Sequence, residues 1–388
     1  MISTRNLVIL VVVAVAMVAV TVTLYSGPKR GPAAFEPGAP LMQGLAPEKV
    51  QTIALTQGAT TVTLKRKDKG FVIAERDGYP AAPGKVNELL LACMDVRCRG
   101  KVTDSKSNHA DLGVVEGGAD ALSIVFKDAA DKTLTGLVRG KTGESGGPYV
   151  RLIDKDTVYV AENNIYVTVA PAWFMDKKLI DVKPEDIRRV DVEVGGGSYT
   201  ITRDEKGAIA LTPVPEGKRV KESVRDTVLN ALGGFEFTDV SSAATTPLDW
   251  DTTYTCRLAS ELVYAVKLAK KDNKYYAKVS AASSNAGSVK ITRSEGDEEL
   301  KKKEALLQGV EKARDFTPRH APWVYEIPSW TAEKLRHPLA DLVEDIPKPE
   351  PPPGQTGAAP ATPPAPAAAP VPKTPPAPVT IVPAPAKK

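Results

Sequence analysis

An internal repeat constrains this chain more than any other feature. A succession of three alternating apolar segments, a proline turn and an apolar-striped segment occurs twice. In the first copy, residues 50–55 alternate with the period of a half-buried strand, and residues 61–65 and 71–75 follow in the same manner. Gly78, Tyr79 and Pro80 then turn the chain into a segment of about 84–96. There Val86, Leu89, Leu90 and Cys93 fall at i, i+3, i+4 and i+7, which predicts a helix with one apolar stripe. In the second copy Ile187, Val190, Val192 and Val194 mark a strand, and residues 198–202 and 208–211 mark two more. Pro213 and Pro215 make the turn, and a helix is predicted over about 218–232, striped by Val220, Val224, Val228 and Ala231.

More strand patterns follow each helix. They lie at 121–127, 133–139, 149–153 and 158–161 in the first copy, and at 261–269, 274–280 and 288–292 in the second. Helices at about 298–314 and 331–343 flank a strand at 323–327. The expected class is α+β: two repeated antiparallel meander modules, 48–180 and 181–346, each with packed helices.

The two ends have different compositions. Residues 7–25 run LVILVVVAVAMVAVTVTLY, nineteen residues without a charge, long enough at ~1.5 Å per residue to span a hydrocarbon core. The run is too long for the apolar part of a cleaved signal, and no small-residue cleavage site follows it. It is read as an uncleaved transmembrane helix, with 1–6 in the cytoplasm and 26–47 as a linker. Arg5 on one side faces Lys29 and Arg30 on the other, so flanking charge is nearly even. Long downstream domains translocate largely regardless of charge, which places the globular part outside the cytoplasm at the inner membrane. Residues 347–388 hold 16 of the chain's 33 prolines and read as a disordered, extended tail.

Composition excludes several classes of function. The net charge of +4 is small and falls largely in the tail, so no basic face for nucleic acid is expected. The basic runs at 65–67 and 301–303 read as solvated strand and helix surface. Three cysteines, Cys93, Cys98 and Cys256, form no C-x-x-C pair, which argues against a disulfide framework or a zinc site. Cys93 lies on the apolar helix face, and a Cys93–Cys98 bridge requires the helix to end between them.

Gly136 to Thr142 resembles a phosphate loop but has three residues between its glycines, not four, and it joins strands. The glycine-rich stretches 143–147 and 195–198 read as hairpin turns, without the elbow that a nucleophilic serine needs. His109, His320 and His337 are dispersed, and nothing in the sequence makes them converge. Asp249 and Asp251 flank Trp250 as in some sugar sites, although acidic turn caps explain them more simply. The expectation is no catalytic, cofactor or metal residue, and no nucleotide.

Phe71, Gly78-Tyr79-Pro80, Lys85-Val86, the leucines 89–91, Asp111-Leu112-Gly113-Val114, Gly140-Lys141, Tyr149-Val150-Arg151, Val158-Tyr159-Val160 and Trp173 together resemble the bacterial domain-of-unknown-function 4340 family. The resemblance spans about residues 48–345 and carries no catalytic group. Similar proteins have an N-terminal membrane helix and an extracytoplasmic β-rich domain. Many are similar to gliding-motility auxiliary components of ABC transporters. The resemblance implies a non-enzymatic envelope protein that binds a protein partner, as an accessory subunit of an ABC-type transporter. The alternatives are a tether reaching the cell wall through the proline-rich tail, or an envelope glycan- or peptide-processing enzyme.

Overall fold

The computed structural model describes residues 37–144, 146–284 and 296–346. The alternation in the first repeat becomes a meander of β1 (Thr52–Gln57), β2 (Thr60–Lys67) and β3 (Gly70–Ile73), closed by β4 (Tyr79–Pro80). Ile53, Leu55, Val62, Leu64 and Ile73 fall on the inner face and are fully buried. Burying each contributes ~1.5–3 kcal/mol, which fixes the register because a one-residue slip would turn all of them to water. Helix α1 (Pro83–Met94) follows, burying Val86, Leu89, Leu90 and Cys93 as its stripe predicts. The chain then forms β5 (Cys98–Thr103), β6 (Leu122–Lys127), β7 (Thr133–Thr142), β8 (Pro148–Leu152) and β9 (Val158–Ala161).

The second half repeats this plan with β11 (Ile187–Val194), β12 (Gly197–Arg203), β13 (Ile209–Thr212) and α2 (Glu222–Leu229). There follow β16 (Asp239–Ser242), β17 (Thr252–Leu258), β18 (Leu262–Lys271), β19 (Lys274–Ser283) and β20 (Trp323–Ile327), with α3 (Asp297–His320) between the last two. The first sheet runs β4-β3-β2-β1-β6-β7-β8-β9-β5 and the second β13-β12-β11-β17-β18-β19-β20-β16. Apart from β4 the two orders correspond strand for strand. In both halves the strand after the helix crosses to pair with the last strand of the return meander.

Two small ribbons complete the unit. One pairs β10 (Lys178–Ile180) with β15 (Phe235–Glu236), and the other pairs β14 (Lys218–Val220) with β21 (Val343–Asp345). Helices α4 (Ser329–Leu335) and α5 (Leu339–Leu342) precede β21. One continuous apolar core runs through both halves, within a compact unit that ends at Asp345.

The expected α+β class, with a transmembrane helix and helices packed on each module, is corrected. The described molecule is mostly β-sheet, with five helices. Segments without a clear alternation are strands because a neighbouring strand supplies their hydrogen bonds. They include β5, β10, β15, β16 and β21. The helix expected over about 218–232 gives its first residues to β14, and that expected over about 331–343 breaks into α4, α5 and β21. No helix among the described residues is long and apolar enough to cross a membrane. The expected span at 7–25, the strand at 288–292 and the tail at 347–388 lie outside the described residues.

The last part of the expected linker belongs to the fold. Gly38 donates its N–H to the Cys98 carbonyl at 2.9 Å, Leu41 donates to Val96 at 2.7 Å, and Met42 and Leu45 are buried.

Candidate functional site

The residues that carry the family resemblance gather in two places. The first is structural. Val114, Ala121, Val138 and Val158 form a small separate core, with Leu112 and Tyr149 packed against it. Arg151 organises the loop above it. Its guanidinium donates to the Val114 carbonyl at 2.8 Å, to the carbonyls of Leu152, Ile153 and Lys155, and to Glu116 at 2.9 Å. A buried charge needs such complete pairing.

Gly140 lies where a Cβ would stand 2.4 Å from the Leu112 carbonyl oxygen, so glycine lets the 111–114 loop lie against β7. The Lys141 N–H donates to that same carbonyl at 3.1 Å. The segment 136–142, which superficially resembles a phosphate loop, is thus wholly inside β7. Its glycines serve strand packing.

The second gathering is a groove along α1, where Pro83 at the helix start and the β4 turn before it come from the first half. At one end is a cleft of about 530 Å³ lined by Tyr79 to Lys85, Glu88, Met175, Asp176, Arg319, His320, Trp323 and Tyr325. This end lies between the two halves. Tyr79 is inserted into an aromatic cage of the second half, with ring centroids 5.0 Å from Trp323, 5.9 Å from Phe237 and 6.3 Å from Tyr325, all edge-on. Such edge-to-face pairs add ~0.5–1.5 kcal/mol each beyond burial.

Two further hollows continue the cleft. The next shares Lys85 and Glu88 with it and adds Leu89, Ala92, Asn164, Tyr166 and Trp173. The last shares Ala92 and Asn164 with that one and reaches Leu91, Met94 and Asp95. The three lie end to end along the whole of α1. Their rim exposes two large apolar side chains, Leu91 at 66 % and Tyr166 at 79 %. Lys85 Nζ sits 4.4 Å over the Trp173 ring and 2.8 Å from a Glu88 carboxylate oxygen.

His320, at the end of α3, is buried and places Nδ1 2.6 Å from the Tyr325 hydroxyl. Its burial, reinforced by the neighbouring Arg319 charge, holds the imidazole down at about 4, so it is neutral near pH 7. Burial likewise pushes the Tyr79 and Tyr325 phenols up. The cleft can therefore offer neutral donors and acceptors between aromatic walls, with charge confined to its rim.

The other candidate residues stand apart from this groove. His109 places Nε2 2.8 Å from the Asp156 carbonyl oxygen, and His337 lies 3.2 Å from Asp341 on the surface. Asp251 accepts from Arg336 at 2.7 Å and from Thr252 at 2.8 Å, while Asp249 is exposed. Cys93, Cys98 and Cys256 are buried free thiols. Among the described residues no group of His, Cys, Asp and Glu could hold a metal ion. Arg319 and the cage around Tyr79 leave no signal in the sequence, because their neighbours come from distant segments.

No curated protein and no solved structure matches the chain. The family model described as Domain of unknown function (DUF4340) matches residues 72–252, from within β3 to the start of β17. Residues 72–252, just under half of the chain, form a domain of that family.

Proposed function

We propose that this protein is a non-enzymatic docking module that binds an extended segment of a protein partner in the groove along α1. The observation that carries this reading is the continuity of three hollows along one helix, rimmed by exposed Leu91 and Tyr166. Exposed apolar groups beside a groove are a common sign of a protein-binding surface. The partner is a component of an ABC-type transporter, as the family resemblance implies, and the protein serves as its accessory subunit. The uncharged run at 7–25 supports a site of action at the inner membrane, with the globular part on the extracytoplasmic side.

The test is site-specific photo-crosslinking of the full-length protein in its native membranes. A photoreactive residue replaces Leu91 or Tyr166, with exposed Glu193 on β11 as the control position. Crosslinks to a transporter permease or its ATPase from the first two positions, absent from the control, support the reading. Crosslinks that are equal at all three positions, or absent at Leu91 and Tyr166, overturn it.

A further inference from the structure

Helix α1 begins at the cleft without a cap. Its N-cap residue, Ala82, provides no side-chain hydrogen bond, and its first turn has no acidic residue. Helix starts normally satisfy their free N–H groups with Ser, Thr, Asp or Asn, and the positive end of the helix favours an anion there. Pro83 has no N–H, and the Lys85 and Val86 N–H groups both turn back to the Ala82 carbonyl. Gly84 lines the cleft, and its N–H, in the first turn, has no acceptor among the described residues.

An independent observation comes from the opposite wall. His320 is only 8 % exposed, spends Nδ1 on the Tyr325 hydroxyl, and has no partner for Nε2 among the described residues. The tautomer that a bound carboxylate selects accepts the Tyr325 proton on Nδ1 and carries its own hydrogen on Nε2, as a donor. Beside it Arg319 is exposed and forms no ion pair among the described residues. Lys85 is already balanced by Glu88. The remaining acid on the rim, Asp176, offsets the Arg319 charge, so a site of no net charge takes a monoanion held by hydrogen bonds at less cost than a phosphate dianion.

We infer that this end of the groove binds the C-terminal carboxylate of the partner polypeptide, with Arg319, His320 Nε2 and the Gly84 N–H as its donors. The inference rests on the docking reading and gives it a direction. The last side chain of the partner lies in the cleft against Trp323 and Met175, and the preceding residues run along α1 past Trp173 toward Leu91. The twelve residues of α1 span about 18 Å at ~1.5 Å per residue, room for about five extended residues at ~3.3 Å each. Capture of a chain terminus by backbone N–H groups, combined with side-chain pockets, is an established mode of peptide recognition.

The test uses a library of random heptapeptides, tethered by their N-termini and made both with free C-terminal carboxylates and as C-terminal amides. Full-length protein in detergent is the probe. Expected is capture by a subset of the free-acid peptides, at least tenfold weaker for their amides and for the exposed-site variant Arg319→Ala. Equal binding of acids and amides, lost in Leu91→Asp, overturns the carboxylate site and leaves groove docking standing. Acid-selective binding that Arg319→Ala leaves unchanged overturns the assignment of its donors. Capture of neither form overturns the inference, and the photo-crosslinks at Leu91 and Tyr166 then decide the docking reading separately.

Discussion

Arg76 holds Asp239 by two hydrogen bonds, Nε to Oδ1 at 2.6 Å and Nη2 to Oδ2 at 2.8 Å, across 163 residues of sequence. The pair joins the turn after β3 to the edge strand β16. Asp77 in the same turn accepts from the Ser242 N–H at 3.0 Å. The turn thus carries Tyr79 into the second half.

Both partners of this pair are about one-third exposed, so the surrounding water weakens their attraction. A double-mutant cycle with Arg76→Ala and Asp239→Ala should give a coupling of ~1 kcal/mol in denaturant unfolding. A coupling indistinguishable from zero would show that the halves are held by apolar contacts alone.

Tyr79 is nearly buried and meets three rings edge-on. Tyr79→Ala should cost ~3 kcal/mol of stability, because it empties a site between packed aromatics. Tyr79→Phe keeps the ring and should cost less than ~1.5 kcal/mol. Equal losses in the two variants would assign the effect to the hydroxyl.

Gly140→Ala should destabilise the fold by ~2–4 kcal/mol, since its Cβ would meet backbone atoms that cannot withdraw. Gly84→Ala is the matched control. A Cβ there meets nothing within 4 Å, and the effect should stay within ~0.5 kcal/mol. Chemical denaturation of the two variants beside the parent protein decides the point.

The His320 imidazole is held at about 4, against ~6.5 in an unfolded chain. Between these values the unfolded chain binds more protons, so stability rises with pH across that window. The contribution of the neutral ring is complete above about pH 6.5 and is lost as the pH falls toward 4. Unfolding midpoints of the parent and of His320→Asn, measured from pH 4 to 7, should diverge in slope. Parallel slopes would assign the acid sensitivity to other groups.

Burial pushes the Cys93 thiol up to about 12, Cys98 to about 11 and Cys256 to about 12. Thiolate is the reactive form, so native protein should resist a thiol reagent at pH 7.5, while unfolded protein should titrate three groups. Rapid modification of any of them in the native state would contradict the packing around α1 and β17.

The repeat, the three-stranded openings of both halves and the apolar stripe of α1 were legible because each is a local period. Ile53 and Leu55 alternate, and Val86, Leu89, Leu90 and Cys93 recur by turns, whatever the rest of the chain does. Other strands carry no such record. In β5 the residues Arg99, Gly100 and Lys101 interrupt any alternation, and β9 supplies its hydrogen bonds through a bulged register. In β14 the segment read as a helix start pairs with β21, which lies 125 residues further on at Arg219 and Glu344.

Of the groove, the sequence determined the helix that forms its floor, and it placed Tyr79 and Lys85 at the entry to that helix. Tertiary structure decided that α3 ends with Arg319 and His320 facing them. It also decided that Trp173 stands under Lys85 and that Tyr79 enters a cage of distant rings. A periodic pattern reports which face of one element avoids water. Which other elements meet that face depends on the closure of two sheets, and no local stretch of sequence encodes that closure.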